Sequence, residues 1–324
     1  MAHDILEDRY IGSEPAWHGI GTYPGRTFTA EEAITATRAD YEVLKVHLQT
    51  VDGLQIEQMA TVRGDLPTDD PARILGIVGP NYEVLQNVKA FGFFDAIVDR
   101  KEAIYHSVGV LKNGAEMFIV AKLPERGFWV NDDEYEAYIT LTNGHTGRHG
   151  VRAFTTMVRV VCQNTLTMAL RSIRKMVTLR HTKNVEARLS QAPLLLGIAD
   201  KQFRAAQAIF QALADTPIPA PPLFQAYIED VFPSAGEKPN ERTLGHREEV
   251  ARLMSVDEQN TPGVANTFYA AFQAVAQYVD HGITRYAGAN QNEDRAIQAL
   301  FGRGKDLKDR ALSIARTHAA AAQG

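Results

Sequence analysis

The stretch Glu134–Arg188, EYEAYITLTNGHTGRHGVRAFTTMVRVVCQNTLTMALRSIRKMVTLRHTKNVEAR, decides how the rest of this chain is read. It opens as an alternating strand to Asn143, turns through the glycine-rich run Gly144–Gly150 and returns as a second strand over residues 151–161. Past Cys162 the spacing predicts a basic helix from Asn164 to Met176, with Gln163 and Asn164 placed to cap it. Between residues 148 and 188 stand nine cations and one acid, Glu186, a local charge of +8. The whole chain carries −5, so everything else carries −13. Charge segregated on that scale points to a polyanionic partner.

Working outward, the N-terminal flank reads as more hairpins. Tyr41–Thr50 and Leu54–Arg63 alternate on either side of Asp52-Gly53, a pair suited to the positive φ of a tight turn. Ala103–Leu111 and Ala115–Leu123 do the same around Lys112-Asn113-Gly114. Arg73–Gly79 predicts a buried strand. Asn87 is placed to cap a helix whose Val88, Phe91, Phe94, Ala96 and Val98 supply apolar surface. Thr29 with Glu32 makes a capping box for a short helix to about Ala39. The first thirty residues show little regular pattern, only a loop anchored by Trp17.

Beyond Ser190 the alternation stops and helical spacing takes over. Pro193–Asp215 reads as one helix. Helical segments follow near 222–231, 241–254, 264–281, 293–301 and 305–319, the last ending in an alanine-rich tail expected to fray. The expected class is therefore α+β: a β-rich N-terminal half of antiparallel hairpins with inserted helices, followed by an all-helical C-terminal half. The expected boundaries are a core domain over 1–189 and a helical domain over 190–324, with a stiff proline-rich connector at 216–222.

Composition bounds the function. At 324 residues and 45% hydrophobic content the chain can bury one large core or two modest ones. A single cysteine excludes an internal disulfide framework and multi-cysteine zinc sites. No apolar run reaches the roughly 20 residues of a membrane span. The acidic start MAHDILEDRY lacks the pattern of a signal peptide, so the expected location is the cytoplasm of a bacterial host cell.

Candidate residues divide by chemistry. Phosphate contacts require several cations along one track. The candidates are Arg148, His149, Arg152, Arg159, Arg171, Arg174, Lys175, Arg180 and Lys183. Arg171, Arg174 and Lys175 share a face if helical. Arg152 and Arg159 are an odd number apart, so an unbulged strand sends one of them inside. Phe154 is the main aromatic available to stack on bases. Cys162, ending an apolar run, reads as a small buried hydrophobe rather than a nucleophile. His145 and His149 lack a carboxylate or cysteine beside them, which is poor metal-ligand grammar. Asp95 and Asp99 read as a solvated helix face, and His281-Gly282 as a helix stop. No Walker loop, nucleophile elbow or kinase signature occurs. The expectation is a non-enzyme with no cofactor and no metal.

Certain segments also resemble a known family. WHGIG (Trp17–Gly21), GPNYEVLQN (Gly79–Asn87), TNGHTGRHGVRAF with VRVVCQNTL (Thr142–Leu166), NTFYAAFQAVAQYVDH and LFGRGKDLKDRAL are similar to phage/plasmid-like proteins classed as a domain of unknown function, 932. The turn departs from the family's Asn-Ser-His-Asp-Gly, reading Asn143-Gly144-His145-Thr146-Gly147 here. The resemblance implies a mobile-element context and no activity. By analogy with the single-strand annealing proteins of phages, the leading expectation is an oligomer, ring or filament, holding single-stranded DNA in recombination or replication. The alternatives are a structural or host-modulating assembly protein whose basic stretch is a subunit interface, and an enzyme using His145 and His149.

Overall fold

The computed structural model describes residues 5–13, 21–98, 100–148, 150–160, 164–166, 177–179, 181, 192–218, 221–282 and 303–323. The chain forms the expected α+β class, with antiparallel sheets in its N-terminal half and helices concentrated after residue 192.

A strand, β1 (Ile5–Gly12), runs where the sequence shows little pattern. Its regularity comes from pairing with a strand far along the chain. Helix α1 (Ala30–Thr37) starts at the predicted capping box: Thr29 Oγ1 accepts from Glu32 N at 3.2 Å, and the Glu32 carboxylate accepts from Thr29 N at 2.8 Å. Next come β2 (Val43–Gln49) and β3 (Gln55–Arg63), the first hairpin, with Gly53 at φ +84° in its turn. β4 (Ile74–Val78) pairs with β3 and completes a three-stranded sheet ordered β2-β3-β4. It is a strand, as expected, but not a buried one: Ile74 and Ile77 are each 63% exposed. As the edge strand it has a neighbour on one side only.

Helix α2 (Asn87–Val98) buries Phe91, Phe94 and Ile97. Val88, expected inside, is exposed. β5 (Ile104–Leu111) and β6 (Glu116–Lys122) form the second hairpin, closed by a turn in which Asn113 and Gly114 both take positive φ. β7 (Phe128–Val130) turns tightly into β8 (Asp133–Gly144), and β9 (Val151–Arg159) follows the glycine-rich turn. Two short strands, β10 (Asn164–Leu166) and β11 (Val177–Leu179), pair antiparallel with β9 at different registers. The second sheet runs β1-β5-β6-β8-β9-β10, with β7 on β8 and β11 on β9. The predicted helix at Asn164 is thus corrected at its start. Asn164 faces Arg159 across a strand ladder, whose pairing outweighs local helical spacing. Residues 167–176 lie outside the described residues.

The helices are α3 (Ala192–Ala214), α4 (Pro221–Val231), α5 (Glu241–Leu253), α6 (Phe268–Gln277) and α7 (Arg303–Gln323). Three details differ from expectation. Pro221 and Pro222 open α4 rather than extending a connector, because a proline's fixed φ suits a first helical turn. Pro217 instead forms a bridge with Thr267. After Gln277 the chain widens into a π-helical turn, Tyr278–Gly282, in place of a glycine stop. The alanine-rich tail stays helical, and Gln323 Nε2 donates to Thr216 Oγ1 at 2.6 Å. The segment expected helical at 293–301 and the loop around Trp17 lie outside the described residues.

The chain divides into two compact units, though not at residue 189. Unit 1 comprises 1–125, 138–155 and 175–199; unit 2 comprises 126–137, 156–174 and 200–324. Unit 1 is cored by Tyr105, whose ring lies 6.0 Å from Phe91, 6.1 Å from Phe94 and 6.2 Å from Phe28. Unit 2 is cored by Phe210, with Tyr135 at 5.4 Å, Phe272 at 5.8 Å and Tyr269 at 5.9 Å. The proline segment 216–222 falls within unit 2 and joins no domains.

Candidate functional site

The glycine-rich turn between β8 and β9 is anchored from several sides within unit 1. Its first carbonyls are held by side chains: Tyr82 Oη donates to Gly144 O at 3.0 Å, and Thr61 Oγ1 donates to His145 O at 2.6 Å. Its backbone then lies directly on β4. A Cβ on Gly76 would stand 2.5 Å from Thr146 Cα, and one on Gly147 would stand 2.8 Å from Ile77 O. Gly147 also takes φ +74°, a region closed to most side chains. Beyond these contacts Arg148 is exposed.

Beneath the turn lies a buried polar cluster. Asn87 Oδ1 accepts from Asn143 Nδ2 at 3.1 Å and sits 2.9 Å from His145 Nε2. Asn143 Nδ2 also donates to Leu85 O at 3.0 Å. Asn87 was expected to cap α2, but its carboxamide oxygen is engaged by these two side chains instead. His181 stacks on the Tyr82 ring, centroids 4.6 Å apart, with Nδ1 3.1 Å from Glu83 O. Burial, and secondarily His181, pushes the His145 pKa down to about 3. The ring is therefore neutral at pH 7, and it accepts protons poorly there. Sequence reading weighed His145 as a ligand or base and missed its anchoring role. The available signal was Asn143, which continues the alternate row Ile139, Leu141 and so demands a polar partner in the interior.

The nine candidate cations and histidine meet different fates. Arg148 is exposed and Arg152 is half-buried on β9 opposite Thr178. Arg159 must be removed from the set. It is fully buried in unit 2, with Nε 2.8 Å and Nη2 2.5 Å from Asp133 Oδ2 and Nη1 2.8 Å from Gln259 Oε1. Tyr269 Oη donates to the same carboxylate oxygen at 2.9 Å, and Thr261 Oγ1 to the other at 3.1 Å. An arginine so enclosed has no face for a phosphate. Phe154 is likewise buried, 5% exposed, so it does not stack on bases. His149, Arg171, Arg174, Lys175, Arg180 and Lys183 lie outside the described residues, as do Cys162 and Asp99. Asp95 is half-buried, and its carboxylate accepts from Tyr105 Oη at 2.8 Å, so it is no freely solvated acid.

Among the described residues no three His, Cys, Asp or Glu side chains converge as a metal site, and no helix is long and apolar enough to cross a membrane. A two-unit α+β chain with an anchored turn at the foot of a basic segment is the class of protein that fold and site define. The chain belongs to the family described as a domain of unknown function, DUF932, whose model matches residues 74–301. That span begins at β4 and includes the whole anchored turn. No curated protein and no solved structure matches the chain.

Proposed function

We propose that this protein binds single-stranded DNA through the basic segment that begins at Arg148, acting without catalysis as an oligomer in the recombination or replication of a phage or plasmid. The cytoplasm of the bacterial host is the matching location. One observation carries the reading. With Arg159 neutralised by Asp133, residues 148–188 still hold eight cations against Glu186 in a chain whose total charge is −5. A segment so charged gains free energy from each phosphate counterion it releases. The anchored turn supports the reading, because it holds Arg148 outward on a backbone fixed by Tyr82, Thr61 and Gly76.

The test is a titration of a labelled 40-nucleotide single strand at several salt concentrations. Seven or eight contacts bound the slope of log K against log salt at roughly −5, since each contributes about −0.7 on single strands. Replacing Arg171, Arg174 and Lys175 with alanine should flatten that slope by about 2. A salt-independent curve, or a triple variant that binds as wild type, rejects the proposal. Disassembly of DNA-free oligomers on adding salt would reassign the cations to a subunit interface.

A further inference from the structure

Among the described residues nine large hydrophobic side chains are exposed, and five of them (Val51, Leu54, Ile56, Ile74 and Ile77) belong to the β2-β3-β4 sheet or its hairpin turn. Isolated exposed aliphatics need no account, but this concentration does. The register explains it. Val46, Ala60 and Ile77 lie opposite one another, as do Leu44, Val62 and Ile74. Residues directly opposite share a face, so this face is aliphatic on all three strands. The opposite face is already used, since Thr61 reaches His145 O, Arg63 reaches Asn113 O and Gly76 abuts Thr146. The outer edge of β2 is also taken, because the Gln86 carboxamide pairs with both N and O of Val43.

We infer that the aliphatic face of β2-β3-β4 docks a cationic amphipathic helix of a partner protein. Size and charge both select that occupant. Three strands about 4.8 Å apart and seven residues long at about 3.3 Å each cover on the order of 300 Å². That is well short of the roughly 800 Å² per partner of a stable globular interface. It matches one helix of about 15 residues, 23 Å long and about 10 Å wide. The exposed carboxylates nearby, Asp52, Glu57 and Asp69, form no ion pair. The local cations are spent: Lys45 on Tyr82 O, Arg63 on Asp65 and Arg73 on Arg63 O. Two copies meeting face to face would bring like charges together, whereas lysines flanking an aliphatic stripe would complement them.

The probe is a fluorescein-labelled 15-residue peptide with leucines at i, i+3, i+4 and i+7 spacing and lysines beside them, followed by anisotropy. Wild-type protein should bind it at least tenfold more tightly than it binds a peptide of scrambled order or one with glutamates for lysines. Ile74→Ser/Ile77→Ser should lose at least tenfold in affinity with an unchanged circular dichroism spectrum, as should Leu54→Ser in the turn to a lesser degree. Equal binding of the scrambled peptide, or an unaffected double variant, overturns the inference. So does a concentration-dependent dimer in sedimentation, or adhesion to phosphatidylcholine vesicles, that the double variant abolishes. DNA affinity reads the basic segment separately, so failure here leaves the proposed function standing.

Discussion

Arg159 shows what a single residue's sequence neighbourhood can and cannot tell. Its odd spacing from Arg152 implies that one of the two lies inside, and one does. Which one depends on Asp133 and Gln259, 26 and 100 residues away, and no local pattern reveals them. Removing the guanidinium strands a buried carboxylate, so Arg159→Ala should lower stability by about 3–5 kcal/mol in urea denaturation. Asp133→Leu/Arg159→Met should recover most of that loss, because the uncompensated charge goes with it. His145 makes a second prediction. Its folded pKa, about 3, lies below the ordinary value of 6.5, so the unfolded chain binds more protons between those limits. Stability should therefore be full above pH 6.5 and fall as pH drops toward 3, by at most about 1.4 kcal/mol per pH unit. His246, held low by burial and then by Arg242, acts in the same direction. Melting temperatures from pH 7 to 4.5 should fall less steeply in His145→Gln than in wild type. An identical slope would show that His145 is not the group responsible.

At the scale of elements, hairpins were legible and isolated strands were not. Each predicted hairpin couples alternation to a turn residue with a defined φ, and both signals are local. β1 and β10 carry neither signal: their conformation is imposed by ladders with β5 and β9. The exposed Ile74 and Ile77 were misread for a related reason, since an aliphatic run looks the same on an edge strand as on a central one. Close approach is equally invisible in sequence. Gly76→Ala would drive a methyl group into the Thr146 backbone, and Gly147→Ala would add left-handed strain to a clash with Ile77 O. Each should cost about 1–3 kcal/mol in chemical denaturation, with Gly147→Ala the more severe. Gly53→Ala has open space around its Cβ and suffers only the φ penalty, so it should cost about 1–2 kcal/mol.

For the whole molecule, the α+β class followed from the change of periodicity near residue 190, but the division of labour did not. Unit 2 takes 126–137 and 156–174 from within the β-rich half. Tyr135 Oη lies 2.7 Å from Tyr269 Oη and accepts from Gln273 Nε2 at 2.6 Å, contacts separated by more than 130 residues. A linear boundary cannot express that. The expected consequence is that a fragment of residues 200–324 fails to fold as it does in the full chain, since Tyr269, Gln273 and Gln259 lose their partners. Near-ultraviolet circular dichroism and amide dispersion test this, and a native-like spectrum from the isolated fragment would contradict it.

Interleaving also has a timetable. A ribosome adds about 5–20 residues per second, so Tyr135 emerges on the order of ten seconds before Tyr269 exists to receive it. Through that interval the strand carrying Tyr135 and Asp133 is an unfinished half of something, sticky and without its mate. The cell must shelter it, and the rate of translation across residues 140–270 becomes a determinant of yield.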